Sequence, residues 1–243
     1  MSGGGSERSS PPAASGEHRR PLVLATRSEG KVRELAAMCA ARGRTAIDLR
    51  AAGLSDEDPA EDALEVYDTF EANARAKAAW FAARLPGRIV VADDSGLEVV
   101  ALGGQPGVRS RRWTGSAATG AALYAENNAA LLRALEGVTD RRARFVCVMV
   151  ARCGDREWIG RGHCEGRILE EAVGSEGFGY DPLFWSDELG AAFGTVDHEA
   201  KGQVSHRARA FSVLLAAFDA TEPRGGGPAR GGWGVVGGGG GAR

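Results

Sequence analysis

Apolar residues in the first part of the chain fall into short blocks with two alternating periods. Residues 22–25 form a continuous apolar run, which is typical of a strand buried on both faces. Apolar positions between residues 32 and 39 then recur at helical spacing, and residues 46–49 predict a second short strand. This strand–helix–strand order predicts an α/β fold.

The pattern becomes richer in strands further along the chain. Thr69 is typical of a helix N-cap, and an apolar helical face follows it until Pro86 and Gly87 end the helix. Strands are predicted at 89–91, 97–102 and 145–151, with one or two more within 158–168 that form a hairpin, and a helix is predicted at 121–136. Together these elements predict a mixed central β-sheet flanked by helices.

The two ends of the chain have a different composition. Residues 1–20 are rich in Ser, Gly, Pro and charge, and residues 221–243 consist mostly of Gly with Pro and Arg. Such segments bury too little apolar surface to offset the entropy of ordering, so we expect disordered tails. The folded unit is predicted to span residues 21–220.

Composition narrows the function classes. The chain has 243 residues, 43% hydrophobic and 26% charged, with a formal net charge of -2, so no overall basic field favours nucleic acid or an anionic membrane. No apolar run approaches the length of a membrane span. The four cysteines lack CxxC or zinc-type spacing, and the simplest expectation is a reduced, cytoplasmic compartment.

An acidic stretch, Asp93-Asp94-Ser95-Gly96, follows the predicted strand at 89–91. Mg²⁺ is usually held by one or two carboxylates together with water and phosphate, and ligands bind beyond the carboxyl ends of strands in α/β sheets. The alternative is an Asp-Ser-Gly turn in which the carboxylates cap backbone groups. On this stretch alone we favour the turn.

Cationic and glycine-rich loops provide the other candidate chemistry. The loop from Thr26 to Lys31 resembles a phosphate cradle or an ordinary strand–helix turn, but lacks Walker A spacing. Only three of the 30 basic residues are lysine, namely Lys31, Lys77 and Lys201, which indicates either a need for a compact ammonium, for example against phosphate, or chance. Arg111 and Arg112 beside Trp113 can clamp phosphate, stack or cover a surface.

Two later segments are candidates for ligand contacts. The segment 174–182 either approaches a flat ligand, with Asp181 facing the base edge, or forms a turn with buried aromatics. Ser205 predicts the N-cap of a last helix, whose first turn carries His206 and Arg207. Positive charge is disfavoured at that end of a helix, so an anionic or carbonyl-bearing ligand is expected there.

These blocks, in this order, resemble the Ham1/inosine triphosphate pyrophosphatase family. The likeness is carried by residues 26–31, 92–97 and 178–182, and by Lys201 with Ser205-His206-Arg207. The resemblance implies a mixed α/β fold, two lobes around a nucleotide-binding cleft, and a homodimer. It also implies Mg²⁺-dependent hydrolysis of purine triphosphates such as ITP, dITP and XTP to the monophosphate and pyrophosphate.

The resemblance also implies residue roles. Asp94 would be the general base and a metal ligand, and Glu65 a second metal ligand. Phosphate or base contacts would come from Thr26, Arg27, Ser28, Glu29, Gly30, Lys31, Ser95, Lys201 and Arg207. The base pocket would be formed by Phe178, Gly179, Tyr180, Asp181 and His206.

Four positions depart from the pattern of the family, namely Ser28, Ala72, Val100 and Ala200. They put the rate, the metal affinity and the strictness of base choice in doubt. One alternative is therefore a nucleotide-binding protein without hydrolytic activity. Another is a pyrophosphatase of the Maf type, acting on modified pyrimidine nucleotides, which the segments at 178–181 and 205–207 argue against. A dinucleotide oxidoreductase is disfavoured because no GxGxxG follows the first strand.

Overall fold

Seven strands form one mixed sheet in the computed structural model, which describes residues 20–221. In chain order the strands are β1 (Leu22–Leu24), β2 (Ala46–Asp48), β3 (Ile89–Val99), β4 (Arg142–Cys153), β5 (Arg156–Ile168), β6 (Phe184–Ser186) and β7 (Ala191–Ala192). Their order across the sheet is β2-β1-β3-β4-β5-β6-β7. The first three are parallel and the other pairings are antiparallel. The predicted mixed α/β sheet is confirmed, while both predicted tails lie almost wholly outside the described residues.

Five helices flank the sheet within residues 20–221: α1 (Glu29–Ala40), α2 (Phe70–Arg84), α3 (Gly120–Ala134), α4 (His198–Val204) and α5 (His206–Thr221). One apolar cluster joins α1 and α5 to one face of the sheet, with Phe211 at its centre. A second joins α2 to the opposite face through Phe81. A third surrounds Phe145 towards the other end of the β4–β5 hairpin, and this division leaves a cleft between the clusters.

Both predicted helix caps are present. The Thr69 hydroxyl accepts a hydrogen bond from the Ala72 amide at 3.1 Å, and the Ser205 hydroxyl accepts one from Ala208 at 3.1 Å. Each satisfies a backbone donor that has no partner within its own helix. No helix among residues 20–221 has the length and apolar character needed to cross a membrane.

The interpretation of residues 93–96 as a turn is wrong, and so is the separate strand predicted at 97–102. Strand β3 continues through the acidic stretch and ends at Val99, because β4 pairs with it along this whole length, from Asp93 opposite Met149 to Gly96 opposite Val146. A short 3₁₀ turn follows. Gly96 lets the backbone of Gly107 pack closely against β3, because a Cβ at this position would lie 2.3 Å from the Gly107 carbonyl oxygen.

Candidate active site

The cleft opens where β3 extends beyond the end of its parallel neighbour β1. Strand β1 ends at Leu24, opposite Val91, so the acidic part of β3 projects past it towards the loop that begins α1. The cavity measures about 590 Å³, which is the size of a small-molecule pocket. The site therefore lies at the carboxyl end of the parallel strands, where ligands bind in α/β sheets.

Every candidate site residue from the sequence lines this one cavity. They are Thr26, Arg27, Ser28, Glu29, Gly30, Lys31, Glu65, Asp94, Ser95, Phe178, Gly179, Tyr180, Asp181, Lys201, His206 and Arg207. Of the four positions that depart from the family pattern, only Ser28 is among the lining residues. Ala72, Val100 and Ala200 therefore lie away from the cavity wall.

Neighbouring carboxylates on β3 have opposite environments, because successive side chains of a strand point to opposite faces. Asp94 faces α2, where Asn73 donates to it at 2.9 Å. Burial raises the pKa of Asp94, and the Lys77 and Lys31 charges oppose this effect only in part. Asp94 is thus the carboxylate whose affinity for a proton is enhanced.

Asp93 faces the other side of the sheet and is 1% exposed. Lys31 Nζ lies 3.0 Å from its carboxylate, Arg207 Nε lies 3.5 Å away, and Ser95 donates to it at 3.2 Å. Burial alone would raise the pKa of Asp93, but Lys31 and Arg207 outweigh burial and hold it well below its usual range. This carboxylate is a fixed negative charge between two cations.

Glu65 reaches the cleft from the end of a 3₁₀ helix, Pro59–Glu65, which Asp58 caps with a reciprocal capping box. Lys77 Nζ lies 2.7 Å from Glu65 Oε1, and Arg112 lies 3.3 Å from Oε2. Burial raises the pKa of Glu65, but the charges of Lys77 and Lys31 prevail and leave it at about 2. Glu65 is therefore ionised throughout the physiological range.

Lys77 is a site residue that the sequence-based assignment missed. Its ammonium contacts Glu65, lies 3.7 Å from Asp94 and donates to the backbone carbonyl of Asp93. Burial lowers the pKa of Lys77, but the three carboxylates outweigh burial and keep the ammonium charged. A signal was available, since Lys77 is one of only three lysines in the chain.

A buried charge network lies at the other end of the cleft. Glu34, which the sequence did not indicate, contacts Lys201 at 2.7 Å and accepts a hydrogen bond from Arg207. Lys201 also lies 2.6 Å from Asp181. The positive charge at the start of α5 is thus balanced by Glu34 and Asp93, so it does not by itself require an anionic ligand.

Two rings define the flat part of the cavity. Phe178 packs over the backbone of Gly30, where a Cβ would lie 2.7 Å from its ring. His206 stacks on Phe145, with centroids 4.7 Å apart and an interplanar angle of 13°. Burial, with the charges of Arg207 and Lys201, lowers the pKa of His206 well below its usual value, so the imidazole is neutral. Within residues 20–221 its Nδ1 has no hydrogen-bond partner.

The cations of the cleft differ in what holds them. Arg27 forms a two-point ion pair with Glu61, and Arg33, Arg112 and the three lysines also lie within 4 Å of carboxylates. Arg111 is the one cleft cation without such a partner in the described part of the chain. Its guanidinium is therefore available to an anion.

The cavity thus combines a carboxylate pair, several cations and a flat aromatic region, which is the chemistry of a nucleotide-hydrolysing site. A model of the Ham1 family matches residues 22–217, so the chain belongs to the Ham1 family, as the sequence blocks indicated.

Known relatives agree with this assignment. A dITP/XTP pyrophosphatase of Syntrophobacter fumaroxidans is 43% identical over 199 residues, which cover 82% of each chain. One from Desulforamulus reducens is 44% identical over 198 residues, covering 80% of this chain and 93% of the relative. The Staphylococcus aureus Ham1 protein is 33% identical with a TM-score of 0.69, over 84% of this chain and 100% of that one. The nucleoside-triphosphatase / dITP/XTP pyrophosphatase of Mycobacterium abscessus has 33% identity and a TM-score of 0.60, over 80% and 97%.

Proposed function

We propose that this protein hydrolyses non-canonical purine nucleoside triphosphates, namely dITP, ITP and XTP, to the monophosphate and pyrophosphate. Membership of the Ham1 family and the names of its relatives support this activity. The observation that carries the proposal is a single cavity with Asp94 and Glu65 at one end and the Phe178 ring at the other. Cations line the same cavity, as expected of a site that holds a triphosphate.

Asp94 has the properties of a general base for the attacking water. Its raised pKa brings the carboxylate closer to the pH at which proton transfer is efficient. The water oxygen bonds to the α-phosphorus, Asp94 takes the proton, and pyrophosphate leaves with the electron pair of the broken P–O bond. Such a reaction depends on positioning and charge neutralisation, and it needs no protein nucleophile.

The donor set of the carboxylate end suits Mg²⁺. Among residues 20–221, no group of three or more His, Cys, Asp or Glu side chains is arranged so that it could hold a metal ion by itself. Mg²⁺ nevertheless commonly uses one or two carboxylates and completes its shell with water and substrate phosphate. Glu65 and Asp94 converge on one cation, the Lys77 ammonium, so both would hold the metal. When bound, Mg²⁺ would neutralise phosphate charge and lower the pKa of its bound water.

Phosphate charge is also met by the protein itself. Lys31 lies in the first turn of α1, where helix-start amides favour anions. Arg111 adds a guanidinium that no carboxylate of the described chain neutralises. We assign Arg111 to the β- or γ-phosphate, which distinguishes a triphosphate from a monophosphate product.

Base choice follows from hydrogen-bond donors at the aromatic end. The 6-oxygen of hypoxanthine and xanthine accepts a hydrogen bond, whereas adenine presents an amino donor there. Neutral His206 donates from one ring nitrogen, and Arg207 donates from its guanidinium. A donor facing a donor leaves buried polar groups unpaired, which is a strong basis for rejecting adenine.

Isotope labelling tests which bond is cleaved. Hydrolysis of dITP in ¹⁸O-water with Mg²⁺ is expected to place one label in dIMP and none in pyrophosphate. Label in orthophosphate would contradict the proposal, because it would mean attack at the γ-phosphate. We also propose a homodimer, which sedimentation analysis would reveal as twice the chain mass of 25.3 kDa.

A further inference from the structure

All donor groups of the Arg27 guanidinium are used inside the protein. Nε and Nη2 donate to the two oxygens of Glu61, at 3.0 and 2.7 Å. Nη1 donates to the carbonyl oxygens of Leu54 and Ser55, at 2.8 and 3.3 Å, and Nη2 also donates to that of Asp56, at 2.8 Å. A guanidinium carries about five N–H groups, and all of them are engaged here. Arg27 therefore keeps no donor for a phosphate.

The segment that Arg27 holds, residues 54–65, has little else to fix it. None of these residues is buried, although Leu54 and Leu64 pack in part against the α2 cluster. The other side-chain contacts to the body of the protein are Arg84 with Asp58 at 3.8 Å and the contacts of Glu65 itself. Because apolar burial contributes little here, the fork between Arg27 and Glu61 is the main polar anchor of the segment.

This anchor joins two parts of the cleft. Arg27 belongs to the loop that contains Thr26 and leads to Lys31, while the segment it holds ends at Glu65. Glu61 lies one turn before Glu65 in the same 3₁₀ helix, so the position of one constrains the other.

We propose that Arg27 is a positioning residue, which clamps residues 54–65 so that Glu65 meets Lys77 and Asp94. This replaces the direct substrate contact expected from the sequence. The link to catalysis rests on the proposed function, because it needs Glu65 to serve the metal. The clamp itself does not depend on that function.

The first arm of the test measures hydrogen exchange of residues 54–66 in the metal-free full chain. Arg27→Gln and Glu61→Gln are each expected to accelerate exchange there by about tenfold, since each removes a charged two-point contact. The double variant should be no faster than Arg27→Gln alone, because that variant already removes the whole fork. Arg84→Gln, which removes one long ion pair to the same segment, is the matched control and should change exchange little.

The second arm measures pyrophosphate release against Mg²⁺ concentration. Arg27→Gln is expected to raise the half-saturating Mg²⁺ concentration by about tenfold or more, as removal of a residue that orients a metal ligand does. The kcat at saturating Mg²⁺ should stay within about threefold of wild type, because no group that touches the substrate is lost. A general loss of folded protein would lower kcat without this split.

Two results would overturn the proposal. One is unchanged exchange of residues 54–66 in Arg27→Gln. The other is a rise in nucleotide KM with unchanged Mg²⁺ dependence, which would make Arg27 a substrate ligand. If wild type released no pyrophosphate at all, the proposed function would fail, whereas the exchange arm would still decide whether Arg27 is a clamp.

Discussion

The ammonium of Lys77 lies 2.7 Å from the carboxylate of Glu65, inside the wall of the cleft. It also lies 3.7 Å from Asp94, so a single side chain balances both candidate metal ligands. The two carboxylates would repel each other without it, as they share a low-dielectric site. Lys77 therefore stabilises the carboxylate pair in the metal-free protein.

Lys77→Met should destabilise the metal-free protein by about 3–5 kcal/mol, because buried Asp94 and half-buried Glu65 lose the ammonium that lies within 4 Å of both. Mg²⁺ should restore part of this loss, since it supplies positive charge to the same carboxylates. Thermal unfolding with and without Mg²⁺ checks this, and the rise in Tm on adding Mg²⁺ should be larger in the variant than in wild type.

The control for this experiment is Arg112→Met, which removes an exposed partner of the same Glu65. Its effect on the free energy of unfolding should stay below about 1 kcal/mol. Equal Mg²⁺-induced shifts of Tm in wild type and Lys77→Met would contradict metal binding at the carboxylates that Lys77 balances.

Gly30→Ala tests the contact between the phosphate loop and the aromatic end. The added methyl would lie 2.7 Å from the Phe178 ring, so the ring must move. We expect the KM for dITP to rise by about tenfold or more, since a small displacement of a positioning group is costly. Steady-state kinetics measures it.

Gly202→Ala is the matched control, because nothing lies within 4 Å of a Cβ at that helical glycine. It should leave KM unchanged and stabilise α4 by up to about 1 kcal/mol. If both alanine variants left KM unchanged, Phe178 would not be a base platform.

Glu34→Gln tests the buried network through pH. Burial raises the pKa of Glu34, but Arg207 and Lys201 outweigh burial and lower it below its unfolded value. The contribution of Glu34 to stability is therefore present above its unfolded pKa of about 4.3 and is lost as the pH falls through the folded pKa. The variant should lose about 3–5 kcal/mol at neutral pH, because two buried cations each lose one of their two carboxylate partners.

Urea unfolding at a series of pH values measures this difference, which should shrink as the pH falls below about 4. Glu98→Gln breaks an exposed pair with Arg144 and serves as the control, with a loss of less than about 1 kcal/mol. A difference for Glu34→Gln that stayed constant down to acid pH would rule out the ionised network.

Arg111→Gln should weaken triphosphate binding without harming the fold. Loss of a charged hydrogen bond to phosphate is expected to raise the KM for dITP by about tenfold. The salt dependence of KM should also decrease. Arg109 is exposed and belongs to the same 3₁₀ helix as Arg111, Gly107–Arg112, but does not line the cavity, so Arg109→Gln should leave both unchanged. Equal effects of the two variants would mean that triphosphate binding depends on the overall surface charge and not on a contact with Arg111.

The sequence pattern predicted correctly those features that depend only on neighbouring residues, such as helix caps. Thr69 and Ser205 cap their helices because a hydroxyl beside free backbone amides needs no distant partner. Two short strands, β6 and β7, and the seven-residue helix α4 were missed, since three or fewer strand residues and two helical turns give too little periodicity.

The incorrect prediction of a turn at Asp93 and Asp94 hid the different environments of these two carboxylates. Once the acidic stretch is a strand, the period of two places these carboxylates on opposite faces, and their different pKa shifts follow. The partners of Lys77 and Glu34 lie on other elements of the fold, so tertiary packing decides these contacts. Glu34 and Arg207, for example, are 173 positions apart, so no local pattern could pair them.

The most direct test of the central claim is pyrophosphate release with Mg²⁺ from dITP and XTP against dATP and dTTP, in wild type and Asp94→Asn. We expect kcat/KM for dITP to exceed that for dATP by about a hundredfold or more. Asp94→Asn should lower the rate by about 10²–10⁴-fold. Tight dITP binding without turnover would indicate a nucleotide-binding protein. Preferential turnover of dTTP would contradict the purine assignment and favour a pyrimidine nucleotide pyrophosphatase.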